Sequence, residues 1–210
     1  MKPALIFDLD GTLWDSSAQV AESWNIVGKK YFGESYHISQ SKVRSLMGKT
    51  MKEIALAITP QGIPSDIAQN FVDECFYYER VYLEDHPGIP FPNEFEALEE
   101  LKGHFDLYIV SNCQAGYIET FLNIAPVGLF KGHRCWSDTQ KEKQFTIRLL
   151  MDEYQVETAI YIGDTAKDEE ATHKAGLPFI HAAYGFGQAS SPEGSIQSLN
   201  ELKQIALDLI

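Results

Sequence analysis

Two aspartates that could share one chemical task follow an apolar segment near the start of the chain. Asp8 and Asp10 come directly after residues 4–7, which have the length and composition of a buried strand, and Gly11 opens a turn behind them. Because alternate residues of a strand face the same side, both carboxylates are expected to project into one pocket. Neighbouring carboxylates repel each other unless a cation or a proton separates them. The pattern predicts a divalent metal and an acid/base division of labour; a loop of surface acids is the alternative.

The two carboxylates and the threonine behind them can be given separate roles. A carboxylate can accept a phosphoryl group and so divide hydrolysis into two easier displacements, and we assign this nucleophilic role to Asp8. Asp10 would protonate the leaving oxygen in the first step and deprotonate the attacking water in the second. Thr12 either fixes the turn through its hydroxyl or contacts the phosphate, and both interpretations keep it near the site.

Hydrogen-bond donors follow a second apolar segment. Ser111 and Asn112 come after residues 107–110 and offer a hydroxyl, an amide and backbone N–H groups. A transferring phosphoryl group needs such donors, which makes the pair a candidate phosphate-binding site. A Ser-Asn pair is also an ordinary helix cap, and this alternative stays open.

A third apolar segment, residues 159–162, ends near another acid. Asp164 could complete an oxygen coordination sphere for Mg²⁺ together with Asp8 and the main-chain carbonyl of Asp10. Asp168 follows four residues later and could support the metal site or pair with a lysine. Alternatively, Asp168 could be a first-turn acid that stabilises the start of a helix.

A site with several carboxylates that binds phosphate also needs a fixed cation, for which Lys141 and Lys143 are the candidates. Lys143 lies one helical turn before Ile147, on the apolar face of the predicted helix, and is therefore expected to point inward. Lys141 remains the alternative because the start of this helix is uncertain.

The three apolar segments indicate the fold class. Near-continuous apolar strands separated by helical patterns are typical of a parallel sheet covered by helices on both faces, with ligands beyond the carboxyl ends of the strands. Residues 178–183 are expected to add a further strand. We therefore predict a Rossmann-like α/β core formed by residues 1–15 and 86–210.

The stretch between the first two strands has only helical patterns. Residues 16–85 are predicted to form an inserted all-helical cap domain, the helical cap, which begins just after the acidic turn and so lies over the pocket. After it, a core helix is expected to begin at Asn93, with Glu96 completing its cap, and to end at Gly103.

Composition excludes some partners and compartments. The 210 residues carry 30 acidic and 17 basic side chains, a formal charge of -13, which argues against nucleic acid or an anionic membrane as the main partner. The three cysteines form no CxxC pair, so a reducing cytoplasm is expected. The first apolar run is too short for a membrane span or signal-peptide core. We expect a monomer or a weak homodimer.

Taken together, these motifs resemble those of the haloacid dehalogenase superfamily. The resemblance covers essentially the whole chain, and its second and third motifs are matched by Ser111-Asn112 and by Lys143. The third motif departs from the common lysine-proline form, because Gln144 follows the lysine. Residues 14–16 and 183–187 are most similar to phosphoglycolate phosphatase-type members. The first and fourth motifs are matched by Asp8-Leu9-Asp10-Gly11-Thr12-Leu13 and Gly163-Asp164-Thr165-Ala166-Lys167-Asp168.

The resemblance implies a phosphatase that uses Mg²⁺ and acts on a small phosphorylated metabolite. Members that dehalogenate lack an acid at the position of Asp10, so this aspartate favours phosphate ester hydrolysis. Phosphosugar mutases of the superfamily would keep Asp10 but usually carry valine in place of Thr12. In the helical cap, Arg44, Gly48 and Lys49 could face an anionic substrate or form a solvated loop.

Two other classes of protein remain as alternatives. A phospho-accepting receiver-like signalling domain also places acids, a hydroxyl residue and a lysine at strand ends, but it is shorter, has no helical insertion and would give Asp10 no task. A catalytically idle binding protein would retain the fold, which the intact acids Asp8, Asp10 and Asp164 oppose. The preferred hypothesis is an Mg²⁺-dependent phosphatase that forms an aspartyl-phosphate on Asp8.

Overall fold

A six-stranded parallel sheet lies at the centre of the structure, a computed structural model that describes residues 2–210. The strands, in chain order, are β1 (Ala4–Phe7), β2 (Trp14–Asp15), β3 (Ile89–Pro90), β4 (Asp106–Ser111), β5 (Gly132–Cys135), β6 (Ala159–Gly163), β7 (Phe179–Ala182) and β8 (Gly194–Ile196). The sheet has the order β5-β4-β1-β6-β7-β8, and all its strand pairs are parallel. The predicted parallel α/β fold is thereby confirmed.

Strand β1 is apolar throughout because both faces of the sheet are covered. Leu5 and Phe7 pack into one hydrophobic cluster, whereas Ala4 and Ile6 pack into a second cluster on the opposite face. The residues of β1 are all buried. A strand between two helical layers therefore shows no alternation of apolar and polar residues.

The register of the central strands sets the position of the polar residues that follow them. Phe7 pairs with Ile109 of β4 on one side and with Ile162 of β6 on the other. The backbone N–H of Asp8 then donates to the Ile162 carbonyl at 2.8 Å. Asp8 and the residues that end β4 and β6 consequently lie at one edge of the sheet, where parallel α/β folds bind ligands.

Four helices form the helical cap, and they lie between β2 and β3 along the chain. These two short strands pair in antiparallel fashion, so the chain leaves and re-enters the core at adjacent positions. In the part of the chain that the structure describes, no helix is both long and apolar enough to cross a membrane. The first four helices of the following list form the helical cap, and the others belong to the core. In chain order they are α1 (Ser17–Phe32), α2 (Gln40–Arg44), α3 (Met51–Ile58), α4 (Ser65–Asp85), α5 (Glu94–Lys102), α6 (Tyr117–Leu122), α7 (Trp136–Thr139), α8 (Lys143–Tyr154), α9 (Ala166–Lys174) and α10 (Leu202–Leu209).

The predicted N-terminal capping of helix α5 is wrong in detail. Asn93 has a left-handed backbone with φ of 58° and makes no side-chain hydrogen bond to the helix. A residue that caps a helix through its side chain normally has an extended backbone, so this conformation prevents the predicted contact. The acid that accepts a backbone hydrogen bond at the start of the helix is Glu94 and not Glu96. The Phe91 N–H donates to Glu94 Oε2 at 3.0 Å.

This buried acid gives a testable pH dependence of stability. Burial raises the pKa of Glu94 from 4.5 to about 9, although the Phe91 N–H lowers it in part. Between these pH values the folded protein holds a proton that the unfolded chain releases, so the free energy of unfolding falls as pH rises. Glu94→Gln is expected to remove this component, which has a slope of up to about 1.4 kcal/mol per pH unit.

Urea unfolding of both proteins between pH 5 and pH 8.5 measures the effect. The variant should show a shallower loss of stability with rising pH than the parent chain. Glu96→Gln is the matched control, because Glu96 lies in the same helical turn and is exposed. Parallel pH profiles for the parent and Glu94→Gln would contradict the prediction.

Candidate active site

Three buried carboxylates converge at the carboxyl edge of the sheet. Asp8 follows β1, Asp164 follows β6 and Asp168 lies in the first turn of α9. Each contributes one oxygen to a group in which these atoms lie within 4.8 Å of one another. Asp164 Oδ1 is buried and has no hydrogen-bond partner among residues 2–210. Hard oxygen ligands and an unsatisfied carboxylate oxygen are what Mg²⁺ requires, so the residues fit this ion.

Lys143 is the cation of this cluster. It is the first residue of α8 and is buried, and its Nζ donates to Asp8 Oδ1 at 2.9 Å and to Asp168 Oδ1. Lys141 is exposed, and its Nζ lies 5.6 Å from the centre of the Phe145 ring. Of the two candidate lysines, the structure therefore brings only Lys143 to the carboxylates.

The pKa values of this cluster reflect burial and mutual charge. Burial raises the pKa of Asp8 to about 7, and the Lys143 ammonium offsets only part of that effect. Burial and the Asp168 and Asp8 charges hold the pKa of Asp164 well above its usual range. Burial alone would lower the pKa of Lys143, but the charges of Asp168 and Asp8 outweigh it and raise it. One ammonium thus faces three carboxylates, and a divalent cation would stabilise their ionised forms.

This excess of negative charge predicts stabilisation by Mg²⁺. At 100 times its Kd, a ligand that binds only the folded state adds about 2.7 kcal/mol to the free energy of unfolding. For a chain of this size that corresponds to an increase in Tm of roughly 5–10 °C. Asp164→Asn should abolish most of the increase, because Asp164 supplies the carboxylate oxygen that has no other partner.

Thermal unfolding with and without Mg²⁺ measures this effect in the absence of any substrate. Asp73→Asn serves as a control that removes one exposed carboxylate from α4. An equal Mg²⁺ response in the parent chain and in Asp164→Asn would exclude Asp164 as a ligand.

Asp168 also stabilises the helix that carries it. The Thr165 N–H donates to Asp168 Oδ2 at 3.0 Å, and the Asp168 N–H donates to Thr165 Oγ1 at 3.2 Å. This is the capping box that the Thr-x-x-acid pattern indicates. The structure thus combines the two interpretations of Asp168, because Oδ1 pairs with Lys143 while Oδ2 caps α9.

Gly11 lets the first turn pass close to the carboxylates. Its φ is 84°, and a Cβ at this position would lie 2.3 Å from Asp164 Oδ2. The loop after β7 approaches from the other side, where the Phe186 N–H donates to Asp164 Oδ2 at 2.8 Å. A side chain at position 11 would therefore displace Asp164.

Asp10 lies in a separate set of hydrogen bonds. Its Oδ1 accepts three of them, from Trp14 Nε1 at 2.9 Å, Ser16 Oγ at 2.7 Å and the Tyr117 hydroxyl at 2.9 Å. Burial raises the pKa of Asp10, and these donors lower it in part. Asp8 and Asp10 line the same cavity, as the strand alternation predicts, but their carboxylates have different partners. A buried acid held in this way is suited to proton transfer.

The role of Tyr117 could not be read from the sequence. It is 107 residues from Asp10 along the chain, and no motif marks it. Trp14 and Ser16 are closer to Asp10 in sequence, and only their resemblance to the phosphoglycolate phosphatase-type pattern marks them.

Of the three residues predicted to contact phosphate through side-chain donors, two line the cavity and one does not. Ser111 and Asn112 both line the cavity beside Asp8, and Asn112 Nδ2 donates to the Gly48 carbonyl of the helical cap at 3.2 Å. The Thr12 side chain is buried outside this lining, and its Oγ1 has no hydrogen-bond partner in the described part of the chain. Among the described residues, the Thr12 hydroxyl therefore makes no hydrogen bond that would fix the turn, and its contact with phosphate stays a prediction.

A cavity of about 40 Å³ separates the core from the helical cap. Gly48 and Lys49 line it, as expected for residues that face a substrate. Arg44 does not; its Nη2 pairs with Asp15 Oδ2 at 2.5 Å. The cap also contributes a wall of apolar and aromatic side chains and one buried acid, namely Val20, Trp24, Leu46, Met47, Met51, Ile54, Phe76 and Glu79.

Known proteins are similar to this chain over most of its length. A family model described as haloacid dehalogenase-like hydrolase matches residues 5–182. The phosphoglycolate phosphatase of Aquifex aeolicus is 27% identical over 89% of this chain and 87% of its own, and that of Vibrio parahaemolyticus is 24% identical over 96% and 94%.

Solved structures share the fold at lower identity. A predicted phosphoglycolate phosphatase from Haemophilus somnus superposes with a TM-score of 0.85 at 20% identity and covers 98% of both chains. The D10N mutant of CbbY from Rhodobacter sphaeroides, in complex with xylulose-(1,5)bisphosphate, gives a TM-score of 0.77 at 18% identity and covers 96% of both chains. At these identities the likeness establishes the fold alone.

Proposed function

The chain belongs to the haloacid dehalogenase-like hydrolase family, and from this we propose that it is an Mg²⁺-dependent phosphomonoesterase that acts through an aspartyl-phosphate on Asp8. The resemblance drawn from the four motifs is confirmed, and so is the prediction of an enzyme that hydrolyses phosphoric monoesters, since the relatives named above are phosphatases. The substrate we propose is a small phosphorylated metabolite.

The observation that carries this proposal is the position of Asp8. Its carboxylate lies at the sheet edge, in contact with the Lys143 ammonium and beside Asp164. Such an environment keeps a carboxylate ionised and ready to attack once a divalent cation is present. Bound Mg²⁺ would be held by Asp8, Asp164 and the main-chain carbonyl of Asp10, and would supply positive charge to neutralise the phosphate.

The proposed reaction has two displacements. In the first, an Asp8 oxygen forms a bond to phosphorus while the ester bond breaks, and Asp10 gives a proton to the departing alcohol oxygen. In the second, Asp10 takes a proton from water, the hydroxide attacks phosphorus, and the bond to Asp8 breaks to release inorganic phosphate. Lys143 stabilises the charge on the transferring group, and Ser111 and Asn112 donate hydrogen bonds to it.

The cap boundaries, residues 16–85, stay part of this proposal. Contacts that join the cap to the core include Gly48 to Asn112, Glu53 to Lys167 and Glu79 to Gln114. We propose that the cap closes over bound substrate through contacts of this kind and excludes water from the phosphoryl-enzyme.

The compartment and the oligomeric state are also proposals. Cys75, Cys113 and Cys135 are free thiols, all of them buried, as suits the reducing cytoplasm in which we place the protein. We retain a monomer or weak homodimer, which ultracentrifugation would test.

Hydrolysis of 4-nitrophenyl phosphate by the purified protein tests the proposed function. We expect turnover that requires Mg²⁺, stops with a chelator, and releases one inorganic phosphate for each nitrophenolate. Nitrophenolate release without free phosphate would indicate a phosphotransferase such as a mutase. A failure to hydrolyse any phosphoester while the thermal response to Mg²⁺ persists would contradict the proposal and favour an idle binding protein.

A further inference from the structure

A buried acid of the helical cap faces the cavity without a cationic partner. Glu79 lies in α4, and its side chain lines the cavity near Asp10. Trp24 Nε1 donates to Glu79 Oε2 at 2.5 Å, and Gln114 Nε2 donates to Oε1 at 3.2 Å. Both donors are neutral, and within residues 2–210 no lysine, arginine or histidine forms an ion pair with this carboxylate.

The charge of Glu79 is therefore uncompensated. Burial raises its pKa to about 8, and the nearby Asp10 charge adds to this effect. An isolated buried carboxylate is costly, so it either takes up a proton or pairs with a cation from outside the chain. Because Glu79 faces the cavity, a bound ligand is a natural source of that cation.

Aromatic side chains surround the same part of the cavity. Trp24, Phe76 and Tyr117 all line it, and the rings of Trp24 and Phe76 are 6.4 Å apart. Tyr117 is close enough for the Glu79 charge to raise its pKa. Aromatic faces attract ammonium groups through their quadrupoles, and a buried acid beside them completes a site for an organic cation.

The position of this site relative to Asp10 limits the length of the ligand. Asp10 is the proposed proton donor to the ester oxygen, and it lines the same cavity of about 40 Å³ as Glu79. Because both residues line one small cavity, a ligand that contacts both is expected to have a short carbon chain.

From these contacts we propose that the substrate is the phosphate ester of a small amino alcohol, whose protonated amine binds Glu79 among the aromatic side chains of the cap. This inference rests on the proposed phosphatase function and adds a substrate class to it. It distinguishes this chain from relatives named for phosphoglycolate, whose carboxylate would meet Glu79 as a like charge.

Lys49 is the one cation among the described residues that line this cavity. It belongs to the loop after α2, is partly exposed and makes no ion pair with Glu79. Lys49 can attract the phosphate to the cavity, but its partly exposed ammonium is screened by water more than the buried Glu79 carboxylate is. We therefore expect Glu79 to dominate the choice of leaving group.

Three two-carbon esters that differ only in their terminal group test the proposal: 2-aminoethyl phosphate, 2-hydroxyethyl phosphate and phosphoglycolate. For the wild-type protein with Mg²⁺, we expect kcat/KM for the amine to exceed that for the alcohol by about tenfold or more, as for a hydrogen bond to a charged group. Phosphoglycolate should be the poorest of the three.

The variant Glu79→Gln separates an ammonium site from a site for other groups. An amide cannot supply a counter-charge, so the variant should lose the preference of about tenfold for the amine over the alcohol. Glu84→Gln is the matched control, because Glu84 lies on the same helix, is exposed and pairs with Arg80. It should leave the ratio unchanged.

The outcomes distinguish this inference from the function on which it rests. A wild-type preference for phosphoglycolate, or an unchanged ratio in Glu79→Gln, would overturn the ammonium site while leaving a phosphatase. Failure to hydrolyse any of the three esters or 4-nitrophenyl phosphate would instead overturn the proposed function. The wild-type ratios need no variant, so they decide the question even if Glu79→Gln fails to fold.

Discussion

Replacing Asp8 with asparagine is expected to lower kcat for 4-nitrophenyl phosphate by roughly 10⁴-fold or more, the scale on which loss of an enzyme nucleophile acts. The amide has nearly the same shape as the carboxylate and can still accept the hydrogen bond from Lys143 through its oxygen. It cannot form the phosphoryl ester, because its oxygen is a poor nucleophile. The loss should therefore appear in kcat while the fold is retained.

Stability measurements distinguish a chemical loss from a structural one. Burial raises the pKa of Asp8, so a neutral amide at this position removes a charge that the folded protein holds at a cost. Without Mg²⁺ at pH 8, Asp8→Asn should unfold at the same temperature as the parent chain or above it. Asp73→Asn controls for the loss of one exposed carboxylate. Metal-dependent turnover that survives Asp8→Asn would exclude Asp8 as the nucleophile.

Lys143→Ala is expected to affect both activity and stability. Its ammonium is the partner of Asp8 and Asp168, so its removal leaves buried carboxylates without compensation. Breaking a buried ion pair in this way typically costs about 3–5 kcal/mol. The variant also lacks the fixed charge proposed to stabilise the transferring phosphoryl group, and kcat should fall by about 10²-fold or more.

The control for this prediction lies two residues away. Lys141→Ala removes an exposed ammonium from the segment before α8 and should change neither property measurably. Urea unfolding and kcat at saturating Mg²⁺ compare the two variants directly. Loss of activity in Lys141→Ala, with Lys143→Ala unaffected, would restore the alternative lysine. Mg²⁺ should recover part of the stability of Lys143→Ala, because it compensates the same carboxylates.

The sequence predicts much of the carboxylate cluster because its members obey local rules. The end of a buried strand fixes Asp8 and Asp164, and helical phase separates Lys143 from Lys141. The capping pattern of Thr165 and Asp168 is equally local, and the sequence indicates it directly. In each case, neighbouring residues determine where the side chain points.

Contacts between distant segments leave no such signal. Tyr117 reaches Asp10 from α6, and Glu79 reaches the cavity from the middle of α4, where its spacing resembles that of any polar residue on a helix. Asn93 and Glu96 have the spacing of a capping box, but the backbone of Asn93 adopts a left-handed conformation. Packing in three dimensions decides these positions, and a single chain does not record it in any periodic pattern.

The short pairing of β2 with β3 joins the base of the helical cap to Asp10. Trp14 belongs to this ribbon, and its indole N–H also donates to Asp10. Gly88, next to β3, packs so closely that a Cβ there would lie 2.7 Å from the Trp14 ring. The chain enters and leaves the helical cap through this ribbon, so a displacement of the ribbon would also move a hydrogen-bond donor of Asp10. A substitution that disturbs the β2–β3 pairing is therefore expected to disturb the hydrogen bonding of Asp10 as well, although it lies outside the carboxylate cluster.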